Sequence, residues 1–193
     1  MSEREDPAVR LARVLSREPP AEYLAAWAKS LRRPVFSGLG AADRSAVVFQ
    51  LGEECLALDT RWLVEIQEWR SVRRIPGRTN AVFRGLVSLR GELHLCADLH
   101  ALLGVAHEKA LPGKPRSPTS RLLVVARDEQ TWTFEVDDVR RIVPYRNDDV
   151  LGPQVTVAKA LVHFTDGLLQ IDDASIARLD PDRLFDSLTE SVR

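Results

Sequence analysis

Two cysteines, a single methionine and no apolar run of membrane-spanning length set the first limits on this 193-residue chain. A bilayer helix needs about 18 consecutive apolar residues, and stretches such as 121–126 fall far short of that. Cys55 and Cys96 permit at most one disulfide. Both lie in apolar runs, where a free thiol behaves as a small hydrophobe. The charged start (residues 1–6) has no apolar signal core, so reduced thiols and a cytoplasmic location are expected. The ten glycines are scattered and never form a phosphate-cradling loop. Nucleophile elbow, dinucleotide fingerprint and zinc-protease motifs are likewise missing. Opposite charges nearly cancel, leaving a formal net charge of -1, so steering toward nucleic acid or an anionic membrane is weak.

What is present is an ordinary apolar fraction, 45%, spread over short runs with dense turns. Residues 1–45 differ from the rest. Leu11, Val14 and Leu15 share helical spacing, Pro19-Pro20 interrupts, and Tyr23, Leu24, Trp27 and Leu31 form a second helical stripe. Pro34, Gly38 and Gly40 then mark a linker. From residue 46 the period changes to that of strands. Residues 46–51 and 55–58 read as a hairpin, 63–66 and 71–75 as further strands. Asp98 is an expected helix N-cap and Gly104 an expected stop for residues 98–103. Residues 106–120, with three prolines and a glycine, read as a linker. Strands are expected again at 121–126, 131–136, 138–143, 161–164 and 168–171. Leu184, Phe185, Leu188 and Val192 form a final helical stripe.

This pattern predicts a mainly β domain over residues 46–185, with halves at 46–105 and 121–185 and a helix end at 186–193. Short strands with frequent turns favour barrels over a parallel sheet. The stretches 63–66 and 136–139 occupy similar places in the two halves, a faint internal echo.

Few residues carry chemistry. His94, Cys96 and His100 form the one cluster of metal-ligand type, but it lacks a fourth ligand and closed spacing, so no metal or other cofactor is expected. The pairs Asp137-Asp138, Asp148-Asp149 and Asp172-Asp173 suit turns better than a carboxylate dyad, because neighbours on a strand face opposite ways. No catalytic residue is assigned. Seven arginines between Arg61 and Arg90 face only Glu65 and Glu68, which points to a solvated or protein-docking face. A nucleic-acid surface would want a recognition element that is not present.

The segment from Phe83 to Leu99 is the most specific. It reads as two strands joined at Arg90-Gly91, where Gly91 takes a positive φ at little cost. Arg90 then projects as a planar charged fork from a backbone corner. Gly85, Leu86, Leu89, Arg90, Gly91, Asp98 and Leu99 match the central motif of the CheW-like family, with Ser88 where Asn is usual and Leu95 where Pro is usual. Val136-Asp137-Asp138-Val139 matches a second motif. The chain therefore resembles the CheW-like chemotaxis adaptors from about residue 47 to about residue 184. That resemblance implies two SH3-like five-stranded barrels with short helices, plus here a helical N-terminal extension. It implies a non-enzymatic cytoplasmic scaffold recruited to membrane receptor arrays. The partners it implies are a methyl-accepting chemoreceptor tip, the regulatory domain of a CheA-type histidine kinase, and other CheW-like proteins. It carries receptor contact to Leu63, Glu65, Ile66, Arg90 and Gly91. The N-terminal extension, with 93–96 and 182–188, is most similar to the WspD branch of surface-sensing systems. Two other readings stay open on the residues alone: a small-ligand or enzymatic barrel, and a basic-face nucleic-acid binder.

Overall fold

The computed structural model describes residues 42–106, 113–152, 159–172 and 174–192. The stripe at Tyr23, Leu24, Trp27 and Leu31 lies outside the described residues. Strands dominate: β1 (Arg44–Leu51), β2 (Glu54–Asp59), β3 (Leu63–Glu68), β4 (Phe83–Leu89), β5 (Glu92–Ala97), β6 (Arg121–Arg127), β7 (Gln130–Val136), β8 (Asp138–Tyr145), β9 (Val150–Leu151), β10 (Thr165–Ile171) and β11 (Ala174–Leu179). Among the described residues three short α-helices accompany them: α1 (Leu99–Leu103), α2 (Lys159–His163) and α3 (Pro181–Glu190).

One sheet runs β8-β1-β2-β11-β10-β9 and the other β3-β6-β7-β5-β4. All neighbours are antiparallel except β2–β11 and β5–β7, which are parallel. Each sheet therefore draws strands from both sides of the 106–120 linker. The expected halves, 46–105 and 121–185, are not the two barrels, because the parallel contacts join strands that are distant in sequence. A pseudo-symmetry underlies this. The hairpin β1–β2 corresponds to β6–β7, the edge strand β3 to β8, and the hairpin β4–β5 to β10–β11. The echo between 63–66 and 136–139 is only approximate, since 63–66 lies within β3 whereas 136–139 spans the end of β7 and the start of β8.

Both faces of most strands are covered, which is why β1 and β6 read as near-continuous apolar runs. Ala46, Val48, Val143 and Leu169 face the interior of the first barrel. Val87, Leu89, Cys96, Leu122 and Val124 fill the second, with Trp69 and Val72 packed against them. Between the sheets lies a shared core that includes Phe49, Leu58, Leu123, Trp132 and Phe134. Leu184, Phe185 and Leu188 of α3 are fully buried there, each contributing roughly 2 kcal/mol.

Each barrel closes by the same device. After β3 the chain returns, and Arg73 exchanges two backbone hydrogen bonds with Leu86 of β4, at 2.7 and 2.9 Å. After β8 it returns as β9, which pairs with β10 at Leu168 and Leu169. A glycine permits each approach. A Cβ on Gly85 would lie 2.1 Å from the Arg73 carbonyl oxygen, and one on Gly167 would lie 2.8 Å from that of Leu151. One residue before each glycine, Arg84 and Asp166 are bulged out of their ladders.

Helix ends follow the expected rules. The Asp98 carboxylate accepts the Ala101 N–H, and Gly104 at φ +66° ends α1. Asp180 caps α3 in the same way, with Pro181 at the first helical position. The backbone N–H groups of Asp98 and Asp180 both donate across 2.7 Å, to Val82 and Phe164.

Four expectations need correction. Residues 161–164 are not a strand: Leu161 and Phe164 are buried three residues apart while Val162 is exposed, which is helical spacing. Residues 71–75 keep only the single bridge at Arg73. Strands β9 and β11 were not anticipated, since β9 spans two residues and β11 lies in a mixed polar stretch. Finally, α3 runs from Pro181, so a boundary after residue 185 falls inside a helix.

Candidate functional site

Arg90 and Gly91 form the two-residue loop between β4 and β5, with φ +48° and +90°. Two successive positive φ values define the type I′ hairpin turn, whose twist matches the flanking strands. Glycine suits the second position. Arginine at the first costs roughly 1–2 kcal/mol. The other described non-glycine residues with positive φ are Asp128 and Asp172, a residue type that tolerates the left-handed region. Among the described residues, Arg90 is therefore the one large side chain held in a disfavoured backbone state.

Barrel closure brings this corner to the edge strand β3. Arg90 Nη2 lies 3.1 Å from Glu65 Oε2, and Gln67 Nε2 donates to the same carboxylate oxygen at 2.8 Å. The Arg90 side chain is 76% exposed, so this ion pair contributes only a few tenths of a kcal/mol. It orients rather than stabilises: one guanidinium edge is held by Glu65 while the fork remains open to solvent.

The opposite face of β3 is apolar. Ile66 is partly exposed at 36% and Val64 more so at 59%. The pairing with β6 jumps from Leu63–Val125 to Glu65–Val124, so Val64 is a bulge, and a bulge re-aims the side chain it leaves unpaired. Val64 was missed from the sequence, because alternation alone cannot locate a bulge. Leu63 is half-buried and packs against the shared core. The structure thus brings Glu65, Arg90 and Gly91 together, sets Ile66 and Val64 on the neighbouring face, and turns Leu63 inward.

Further polar clusters lie away from this corner. Asp98 accepts from Arg84 at 3.0 Å and from Arg116 Nη2. Burial pushes its carboxyl up, but Arg116, the Ala101 N–H and Arg84 outweigh that and hold it below the usual range. Arg116 also reaches Glu135 at 3.2 Å. His100 is fully buried, its Nε2 lying 3.1 Å from Asp137 Oδ2, which also accepts the Gly52 N–H at 2.6 Å. Burial, then Arg116, push His100 down against the opposing pull of Asp137. In the first barrel Tyr145 donates to the buried Asp59 at 2.7 Å and accepts from Arg178. Among the described residues no group of three His, Cys, Asp or Glu side chains could hold a metal ion. His94 and Cys96 lie on β5, but His100 on α1 is turned to Asp137 instead. The acidic pairs serve turns and ion pairs: Asp138 with Arg140, Asp148 with Arg146, Asp172 with Arg141. No described helix is long and apolar enough to cross a membrane.

Comparison with known proteins agrees with this architecture. The family model described as CheW-like domain matches residues 45–189. The probable chemotaxis protein CheW of Rhizobium etli is 28% identical over 156 residues, covering 79% of this chain and 94% of that one. The chemotaxis protein CheW of Treponema pallidum is 25% identical over 141 residues, covering 73% and 81%. The crystal structure of the scaffolding protein TtCheW from Thermoanaerobacter tengcongensis superposes with a TM-score of 0.61 at 25% identity, covering 77% of this chain and 91% of the other. A mainly β fold of two barrels, a matching family model over most of the chain and relatives covered over 81% to 94% of their length lead to one conclusion: this chain belongs to the CheW-like domain family, and is a non-enzymatic chemotaxis scaffold.

Proposed function

We propose that this chain couples the cytoplasmic tip of a methyl-accepting chemoreceptor to the CheW-like regulatory domain of a CheA-type histidine kinase, in the cytoplasm beneath a membrane receptor array. The observation that carries the receptor assignment is the pairing of Arg90 with Glu65. It joins a turn and an edge strand into one surface, with the exposed apolar pair Val64 and Ile66 beside it. Such a surface suits a helical bundle tip: apolar side chains supply contact area, and a fixed guanidinium supplies direction. Arg90 sits in a backbone state that costs stability, and strain retained at an exposed position favours a binding role. Kinase docking is assigned to other exposed apolar positions on the barrels, such as Ile142 or Leu93, and association with other CheW-like proteins would use the same surfaces. Signalling on this reading is a population shift in an assembled array, with no bond made or broken.

Calorimetric titration with a receptor tip fragment and with the kinase regulatory domain tests the assignment. Arg90→Ala and Ile66→Asp should each weaken receptor binding by about 2 kcal/mol, near thirtyfold, with kinase binding preserved. Equal loss of both partners would mean that the surfaces are not distinct. Unchanged receptor affinity would remove Arg90 from the interface.

A further inference from the structure

Outside the receptor face, the second barrel carries a pocket that the scaffold function leaves without a role. Trp69, Val72, Arg74, Arg84, Gly113, Lys114 and Glu135 line a cavity of about 200 Å³. We propose that this pocket binds a small phosphate monoester whose organic body is flat and apolar.

The charge balance carries the argument. Two carboxylates belong to the site: Asp98 is buried behind the pocket and Glu135 forms part of its wall, and they are bound by Arg84 and Arg116. Those four groups neutralise one another. Arg74 and Lys114 stand at the same cavity and have no ion pair among the described residues. The site therefore holds two uncompensated positive charges, which match a dianion. Arg84 is the best-placed donor. Its side chain is 29% exposed and its Nη1 is tied to Asp98 at 3.0 Å, so the guanidinium is oriented before any ligand arrives. Planar guanidinium groups recognise tetrahedral oxyanions through paired hydrogen bonds, while a lysine adds a mobile point charge.

A second observation points the same way. The Arg116 side chain is 7% exposed, and its Nε is buried with no acceptor. A buried donor left unmade is costly, and here it lies in the network that joins Arg84 to Glu135. The cluster is built with more donors than the protein's own acceptors use.

The opposite wall is apolar. Trp69 and Val72 pack against the barrel interior and present partly exposed surface to the cavity. An indole beside a cationic cluster favours a flat ring carrying the phosphate over the bare ion. The volume admits a group of that size but not a long chain.

Titrating the full chain at low salt with phenyl phosphate, inorganic phosphate and phenol tests this. Phenyl phosphate should bind at one saturable site and more tightly than inorganic phosphate, and phenol should not bind. The indole N–H resonance of Trp69, assigned by Trp69→Phe, should shift on binding. Arg74→Gln and Lys114→Gln should each weaken phenyl phosphate by about tenfold. Both positions are exposed, so their unfolding midpoints should stay with the parent. Arg146→Gln, on the other barrel, should leave affinity unchanged. Absence of saturable binding, equal loss with Arg146→Gln, or an unmoved Trp69 resonance would each overturn the proposal. Equal affinity for inorganic and phenyl phosphate would overturn the assignment of a flat apolar body.

Discussion

Adding one methyl group at Gly85 should unlock the second barrel. The Cβ of alanine there would sit 2.1 Å from the Arg73 carbonyl oxygen, 2.9 Å from its carbonyl carbon and 3.0 Å from the Arg74 Cα. All three are backbone atoms, so no flexible side chain can move aside. The Arg73–Leu86 pair must separate, losing two backbone hydrogen bonds worth about 1 kcal/mol each. The φ of +129° at Gly85 adds roughly 1–3 kcal/mol of strain for an L-residue. Gly85→Ala should therefore destabilise by about 3–5 kcal/mol, a fall in Tm on the order of 10 °C for a domain of this size. Gly91→Ala is the matched control. Its φ is +90°, but an added Cβ meets nothing within 4 Å, so only the strain of roughly 1–3 kcal/mol remains. Urea unfolding of both variants, followed by tryptophan fluorescence, separates the two costs. If Gly85→Ala loses no more than Gly91→Ala, the closing bridge contributes nothing and the argument for the barrel's closure fails.

Arg90→Asn should leave stability unchanged or raise it by up to about 1 kcal/mol, since asparagine tolerates positive φ and the exposed ion pair to Glu65 is weak; a clear loss in denaturant midpoint would make Arg90 structural. Stability should also fall as pH drops through the ordinary histidine value of about 6.5 and below it. His100 titrates below its ordinary 6.5 in the folded state, so the unfolded chain takes up the proton first. That loss begins near 6.5 and continues down to the folded value; Asp59 and Asp98, both held below 3.8, add a second loss in more acid solution. A pH-independent Tm across the His range, or one equally steep in His100→Gln, would contradict this. Cys96, whose thiol burial pushes up to about 12, should resist iodoacetamide in the native state, with Cys55 modified first; mass spectrometry of the labelled peptides decides it.

The local features were legible in the sequence because their causes are local. Short apolar runs around a glycine turn marked β1 and β2, alternation marked β5, Asp98 and Gly104 marked the ends of α1, and Leu184, Phe185 and Leu188 marked the buried face of α3. The same holds for the core of the proposed receptor face, where a glycine corner after an arginine and a strand containing Glu65 and Ile66 are short-range patterns. Val64 escaped because a bulge depends on the partner strand's register. The interleaving escaped because it rests on two parallel contacts, β2 with β11 and β5 with β7, that close long loops and leave no periodic trace. One signal was available and went unused. Phe83-Arg84-Gly85-Leu86 and Thr165-Asp166-Gly167-Leu168 share a charged bulge, a glycine and a leucine at equivalent places. Each is the point where the chain leaving an edge strand returns to close its barrel. The exchange of strands has an energetic consequence for a scaffold. Neither sheet can be completed by one side of the linker, and residues of both pack into one shared core. A load on the Arg90 corner is therefore carried by the same cooperative unit that holds the first barrel, so the two barrels present their surfaces at a fixed separation.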